Sequence, residues 1–271
     1  MSIEVHILGT SSARPTSIRQ VSGNLISCHD GIVVVDAGEG FQTRFFEQRK
    51  RMKQYDNYHL KPSKVSALCL THGHLDHTWG VLPWLQSLAL DNRHQPLLVL
   101  GPTTSQVIDA LLSQQPLPND IHKSDLAIQY RFWHQLGATS SGLGYPIRWI
   151  LGAVDVGRWV EFLDDGQIIE LTEMPQPEGW RKNHIAALST IHTTPSCAWQ
   201  VSSSGSPGKF DRVKAKQLAL SEAEKGALAS GEDIQHNGKL LKSHDFRGDP
   251  MSPLNAVSYT HLRAHETAYH L

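Results

Sequence analysis

Between Thr71 and Thr78 the chain reads THGHLDHT, and His72, His74, Asp76 and His77 are all side chains of the types that hold divalent cations. In an extended loop alternate residues point the same way, so His72 and His74 can bind one ion. Asp76 and His77, adjacent and displaced, turn toward a second. Imidazole nitrogens and a carboxylate suit Zn²⁺, and two such ions about 3.5–4 Å apart can share one activated water. Solvated loop histidines are the plainer reading of the same residues. The motif's position argues against it: the loop follows the apolar run VSALCL directly, and α/β sites gather at strand ends.

A metal centre needs more ligands than one loop supplies. His192 is the best further candidate, because it closes the apolar run AALSTI and opens the polar stretch TTPS, which places it at a strand's edge. Asp36 ends the run VVV. A buried carboxylate must be hydrogen-bonded, so Asp36 either supports the ligand loop from behind or is an ordinary strand-end turn residue. The chain has 16 histidines. His6, His29, His59, His94, His122, His236 and His244 have no context that points to metal, and His134 and His184 are ambiguous.

The elements that must position these residues alternate. Residues 3–8 form a β-type run followed by a turn-rich loop, and LISCHDGIVVVDAG reads as two strands folded back at Asp30-Gly31. An amphipathic helix with Phe41, Phe45 and Phe46 is expected over 39–53, a buried strand over 65–71, an apolar helix over WGVLPWLQSLAL, a buried strand at PLLVLGP and a helix over 103–115. Strands alternating with helices define an α/β class. The stretch 120–183 is harder to read: it holds Trp133, Trp149, Trp159 and Trp180 and a strand pair around DDGQIIEL. HIAALSTIH and CAWQVSS read as neighbouring strands.

The expected division is a core over 1–203, an arm-like appendage and the start of a return to the core over 204–256, and a tail over 257–271. That tail, VSYTHLRAHETAYHL, resembles a translated sequencing adapter, so the natural chain is expected to be cut near Ala256, with His261, His265 and His270 accidental.

Bulk composition narrows the classes. A 271-residue chain with 39% hydrophobic residues can bury a sizeable core. A formal charge of −1 with 19% charged residues excludes a disordered tail protein and a strongly basic nucleic-acid coat, and leaves room for a local basic path. Cys28, Cys69 and Cys197 are odd in number and lack a CxxC pair. Reduced thiols in a cytoplasmic protein are therefore expected. The opening MSIEVHILG is no signal peptide, and no run approaches the roughly 18 apolar residues of a membrane span.

LGTSSARPTSIRQVSGN resembles the opening motif of the ribonuclease Z family, and VVVDAGEGFQTR resembles its D-C-G-E-G-T-Q element. THGHLDH matches the zinc motif of the wider metallo-β-lactamase superfamily, and STIHTTPSCAWQV is similar to the segment carrying its third histidine ligand. GKFDRVKAKQLALSEAEKGALASGEDI is similar to the family's tRNA-gripping arm. The resemblance runs, with gaps, from about residue 3 to about residue 255. The zinc motif specifies only the superfamily; the opening motif together with the arm specifies ribonuclease Z.

The resemblance implies a metallo-β-lactamase αββα sandwich, incomplete at its C-terminal part, with two Zn²⁺ per site in the complete protein. His72, His74 and His192 would hold the first ion, Asp76 and His77 the second, and Asp76 would also be the proton acceptor. The implied activity is a zinc-dependent endoribonuclease that removes 3′ trailers from precursor tRNA, commonly as a homodimer, with Lys209, Arg212, Lys214 and Lys216 of the arm contacting RNA. Arg44, Arg49, Lys50, Arg51, Lys53, Lys61 and Lys64 are either a second phosphate-steering surface or a solvated face.

There are departures from the family pattern. SEAEKG stands where the arm often has Pro-Pro-Gly-Pro, TWGVLP after His77 is one residue longer than usual, and 120–183 is longer and richer in Trp. The family's bridging aspartate, late His-Glu element and final zinc histidine have no counterpart here. The 271-residue chain by itself is therefore expected to be nearly inactive. Two other readings accommodate the zinc motif. A small-molecule phosphodiesterase of the same fold would not need the arm, and intact ligands argue against a non-catalytic RNA-binding scaffold.

Overall fold

The structure is a computed structural model and describes residues 2–55, 60–205, 207–250 and 252–258. Strands β1 (Glu4–Gly9), β2 (Gly23–Ser27), β3 (Ile32–Val35), β4 (Val65–Cys69), β5 (Leu97–Pro102), β6 (Ile147–Ala153), β7 (Arg158–Phe162) and β8 (Ile168–Leu171) lie side by side, in that order, in one eight-stranded sheet. β1, β2 and β3 pair antiparallel, β3 through β6 are parallel, and β7 and β8 complete the sheet antiparallel.

Parallel neighbours need crossovers, and the helices supply them. α1 (Phe41–Tyr55) joins β3 to β4, and α2 (Leu75–Thr78) with α3 (Val81–Leu90) joins β4 to β5. α4 (Ser105–Leu112), α5 (Leu126–Gln135) and α6 (Ser140–Leu143) lie between β5 and β6. Further along come β9 (Asn183–Ser189) and β10 (Cys197–Ser203), then α7 (Arg212–Gln217), α8 (Glu222–Ser230), β11 (Ile234–His236) and β12 (Lys239–Leu241), and finally β13 (Leu254–Ser258). Strands β13, β10 and β9 form a three-stranded sheet. Residues 259–271, with His261, His265 and His270, lie outside the described residues, as does His59.

Every residue of β3 and β5 is buried, because both faces of the large sheet are covered. One face carries Leu25, Val34, Leu68, Val99 and Trp149 against Phe41 and Phe45 of α1 and Trp84 and Leu85 of α3. The other carries Ile26, Val33, Val35, Ala67, Leu98, Leu100 and Ile150 against Ile185, Cys197, Trp199 and Val201 of the smaller sheet. The layering is helix, sheet, sheet, within a mixed α/β fold. Burial on both faces also explains why 120–183 resisted a periodicity reading. Trp133 and Trp149 pack with Tyr130 beneath the helices, and the Trp149 indole N–H donates to Ala138 O at 2.9 Å. Trp159 fills the inter-sheet side. The DDGQIIEL segment turns through Gly166, at φ +85°, into β8.

The described residues divide into two compact units, one over Ser2–Ser202 with Asn255–Ser258, the other over Ser203–Leu254. The second has its own small core of Ala215, Leu220, Leu228 and Phe246, with Phe210, Ile234 and Leu241 packed on it. Ser221 begins α8 with a capping box: its hydroxyl accepts from Glu224 N, and the Glu224 carboxylate accepts from Ser221 N. β11 and β12 fold back through Asn237 and Gly238, both at positive φ. Among the described residues no helix is long and apolar enough to cross a membrane.

Candidate metal centre

The site forms where parallel strands end. Asp36 directly follows β3, is 2% exposed, and holds a left-handed backbone (φ +60°) that Asp tolerates better than most residues. Its carboxylate collects donors from three directions. Thr71 gives its backbone N–H to Oδ1 at 2.8 Å and its hydroxyl at 2.9–3.0 Å. Ser22 Oγ donates to Oδ2 at 3.0 Å, and His77 Nδ1 donates to the same oxygen at 2.6 Å. Asp36 N in turn donates to Cys69 O at 3.0 Å, which locks the turn to the end of β4.

These bonds assign tautomers. The single Thr71 hydroxyl proton goes to Asp36, so Thr71 Oγ1 accepts from His72 Nδ1 at 3.1 Å. That leaves Nε2 as the unprotonated nitrogen of His72, and it lies 3.0 Å from His74 Nδ1. His77 spends Nδ1–H on Asp36, and its Nε2 faces Asp76 Oδ2 at 3.6 Å. Burial alone would lower the pKa of the His77 imidazole; the adjacent Asp36 charge and hydrogen bond, with the Asp76 charge, outweigh it and raise the pKa.

His192 arrives from the other sheet. Cys197 N donates to Thr71 O at 2.9 Å, the Trp199 indole donates to Leu70 O at 2.9 Å, and Ser196 bridges His72. These contacts tie the start of β10 to the end of β4. Thr190 Oγ1 and Ser196 Oγ, 2.8 Å apart, close the base of the loop that carries His192. Its ring lies 4.7 Å from that of His72 and 5.2 Å from that of His74. One nitrogen from each of the three imidazoles lies within 4.8 Å of the others, and no other such group of three metal-type donors occurs among the described residues.

The donor set fits zinc. Tetrahedral ligands at about 2.0–2.1 Å from the ion stand about 3.4 Å apart, close to the His72–His74 separation of 3.0 Å and the Asp76–His77 separation of 3.6 Å. Asp76 and His77 occupy the short helix α2, with His74 as its N-cap, rather than the extended loop read from the sequence. A helical turn rotates them away from the His72–His74 direction more firmly than a loop would. Close packing sets that helix in place: Ala37 N donates to His77 O at 2.8 Å, and a Cβ on Gly38 would stand 2.0 Å from Asp76 O.

The other histidines divide. His134 packs on Trp149 and Phe162, and burial lowers its pKa; His184 is exposed on β9. Neither joins the cluster. His122, which the sequence left without context, does reach it, with its ring 5.9 Å from that of His74. No local signal marks it, because the loop before α5 is brought there by packing. Of the basic candidates, Lys209, Arg212 and Lys216 are exposed, whereas Lys214 donates to Asp245 O at 2.7 Å and sits 4.9 Å over the Phe246 ring. Arg49, Lys50, Arg51, Lys53, Lys61 and Lys64 are exposed, and Arg44 pairs with Glu47 at 3.0 Å. All three cysteines are free thiols, and burial pushes Cys69 and Cys197 well above the ordinary thiol range.

An α/β sheet with a histidine-rich, carboxylate-backed cluster beyond the ends of its parallel strands defines a class of metal-site proteins. The chain belongs to the metallo-beta-lactamase superfamily, whose model matches residues 18–175. It is similar to curated proteins named Ribonuclease Z. That of Methanosarcina mazei is 24% identical over 260 residues, covering 95% of this chain and 67% of that protein. That of Myxococcus xanthus is 25% identical, covering 92% and 64%, and that of Haloferax volcanii is 26% identical, covering 96% and 66%. The chain thus spans about two thirds of the length of these relatives. Among solved structures, human tRNase Z, short form, aligns at 20% identity and a TM-score of 0.40, covering 73% of this chain and 64% of that one. The metallo-beta-lactamase fold protein YhfI from Bacillus subtilis aligns at 19% identity and a TM-score of 0.43, covering 73% and 58%.

Proposed function

We propose that the protein to which these 271 residues belong is a zinc-dependent phosphodiesterase acting on RNA, and specifically an endoribonuclease that removes 3′ trailers from precursor tRNA in the cytoplasm. The observation that carries the reading is the convergence of His72, His74 and His192, with Asp76 and His77 beside them and Asp36 behind. The relatives named Ribonuclease Z support the substrate class.

In this reading His72, His74 and His192 hold one Zn²⁺, and Asp76 and His77 contribute to a second. Zinc, when bound, supplies Lewis acidity that makes water nucleophilic near neutral pH and offsets charge on phosphoryl oxygens. The protein's own work is orientation. Asp36 fixes His77 directly and His72 through Thr71, so both rings present Nε2 without a search over rotamers. Asp76, with its side chain 13% exposed, is placed to orient the attacking water and take its proton on a carboxylate oxygen. Lys209, Arg212 and Lys216 are exposed and suited to RNA phosphates, and Lys214 supports the unit that carries them. The active protein is a homodimer.

The test is zinc analysis followed by single-turnover cleavage of a precursor tRNA with protein in excess. Expected are bound zinc, its loss in His72→Ala, and only slow release of an intact 3′ trailer by the 271 residues alone, abolished in the same variant. Hydrolysis of bis(p-nitrophenyl) phosphate with no tRNA cleavage would move the protein to the small-molecule phosphodiesterases. A metal-free protein that still binds RNA would establish a scaffold instead.

A further inference from the structure

His122 lies in the loop between α4 and α5, 48 residues beyond His74 in the chain, and its exposed ring meets the His74 ring at 5.9 Å. We infer that His122 is a substrate-binding residue of this site, its Nε2–H donating to a phosphoryl oxygen of the phosphodiester held over His72, His74 and His192. The inference rests on the phosphodiesterase reading above and adds to it a contact that the ligand motif does not contain.

Hydrogen bonding assigns the tautomer. Ser124 N donates to His122 Nδ1 at 3.2 Å, so Nδ1 is the acceptor and the proton of the neutral ring sits on Nε2. The ring therefore offers a hydrogen-bond donor from its outer end at the edge of the ligand cluster. A phosphoryl oxygen is the acceptor such a site would receive, since cations held by His72, His74 and His192 would draw phosphate and the ring can add a hydrogen bond without adding a ligand.

The loop that presents this ring is held before any ligand arrives. Asp125 N donates to His122 O at 2.8 Å, and Ile121 N donates to Pro118 O at 3.1 Å. The Asp125 carboxylate, 1% exposed, accepts from Ala127 N at 2.8 Å and from Thr103 Oγ1 at 3.0 Å, which anchors the turn to the end of β5. The loop also packs directly on the ligand motif. A Cβ on Gly73 would stand 1.7 Å from Ser124 O, and Gln129 Nε2 donates to Gly73 O. His122 and the residues between His72 and His74 thus form one packed body, and a donor fixed in this way loses little freedom on binding.

The experiment is calorimetric titration of the full chain, first with Zn²⁺ and then, zinc-loaded, with inorganic phosphate. His122→Ala is expected to keep its zinc affinity within about twofold and to bind phosphate about tenfold more weakly, as loss of one hydrogen bond to a charged group requires. His122→Gln, which retains an amide N–H near the Nε2 position, should recover most of that loss. Unchanged phosphate affinity in His122→Ala would overturn the inference alone. So would a parallel fall in zinc affinity, which would make the ring a buttress of the ligand loop. Failure of the unmodified chain to bind zinc would overturn the phosphodiesterase reading and this inference with it.

Discussion

The ends of β3 and β4 and the unit over Ser203–Leu254 both gather polar side chains, but by opposite means. At the strand ends the functional groups are buried or half-buried, and the frame behind them is held by partners distant in sequence: Asp36 by Thr71 and His77, Leu70 by Trp199, Thr71 by Cys197. In the appended unit Lys209, Arg212 and Lys216 are exposed, and two of the stabilising devices are local: a capping box within four residues and a tight turn at Asn237-Gly238. A metal centre requires ligand nitrogens placed to within tenths of an ångström, which only a packed core provides. Attraction of a flexible polyanion requires only charge in roughly the right place.

The largest blow to this contrast should come from Asp36→Ala. It removes the buried carboxylate that Thr71 N, the Thr71 hydroxyl, the His77 Nδ1–H and the Ser22 hydroxyl share as acceptor. Denaturant unfolding should show a loss of about 3–5 kcal/mol, and zinc affinity should fall by about 10–100-fold. A stable variant with native zinc affinity would show that the ligand loop holds its own geometry.

Trp199→Phe is the next step down. It removes the indole donor to Leu70 O while keeping most of the inter-sheet packing, so a cost of about 1–3 kcal/mol is expected. Because the same strand starts at the loop of His192, zinc affinity should weaken as well. Destabilisation without any change in zinc binding would separate the two sheets' packing from the site.

Asp30 tests the structural tie on the same unit, away from the metal ligands. Its carboxylate accepts from the backbone amides of Arg181, Lys182 and Asn183 at 2.6–2.9 Å and pairs with His29. Burial would raise its pKa, but the His29 hydrogen bond and the three amides overcome this and hold it at about 2, below the ordinary 3.8. A depressed carboxyl stabilises the fold above its unfolded pKa, and that contribution is lost as pH falls through the folded one. Asp30→Asn should therefore cost about 1–2 kcal/mol near neutrality. The gap between variant and parent should close as pH falls from about 4 to about 2. A gap that is constant across that range would assign the effect to shape rather than charge.

Ser221→Ala should do least. Loss of the cap at α8 costs about 1 kcal/mol, visible as faster amide exchange in Glu222–Ser230 with zinc binding unaltered. A change in zinc binding would show that the loss of this cap is felt beyond α8.

Much of this molecule is legible in its primary structure. His72, His74, Asp76 and His77 fall within one short motif, and a motif after an apolar run announces both its metal-type donors and its place at a strand end. The hairpin of β2 and β3, the helices α1 and α3 and the strand β5 likewise follow from periodicity and turn residues. Tertiary structure decided what lies far apart in the chain. It brought His192 to within ligand distance, made Asp36 the common acceptor for Thr71 and His77, and set His122 against His74. It also gave the tryptophans of β6 and β7 their role as packing, because strands buried on both faces lose the alternation by which a strand is read. The physical reason is range. Chain chemistry specifies what a residue can bind and how its near neighbours fold, whereas the meeting of groups some 35 to 120 residues apart is fixed only when two sheets and a layer of helices close on a common core.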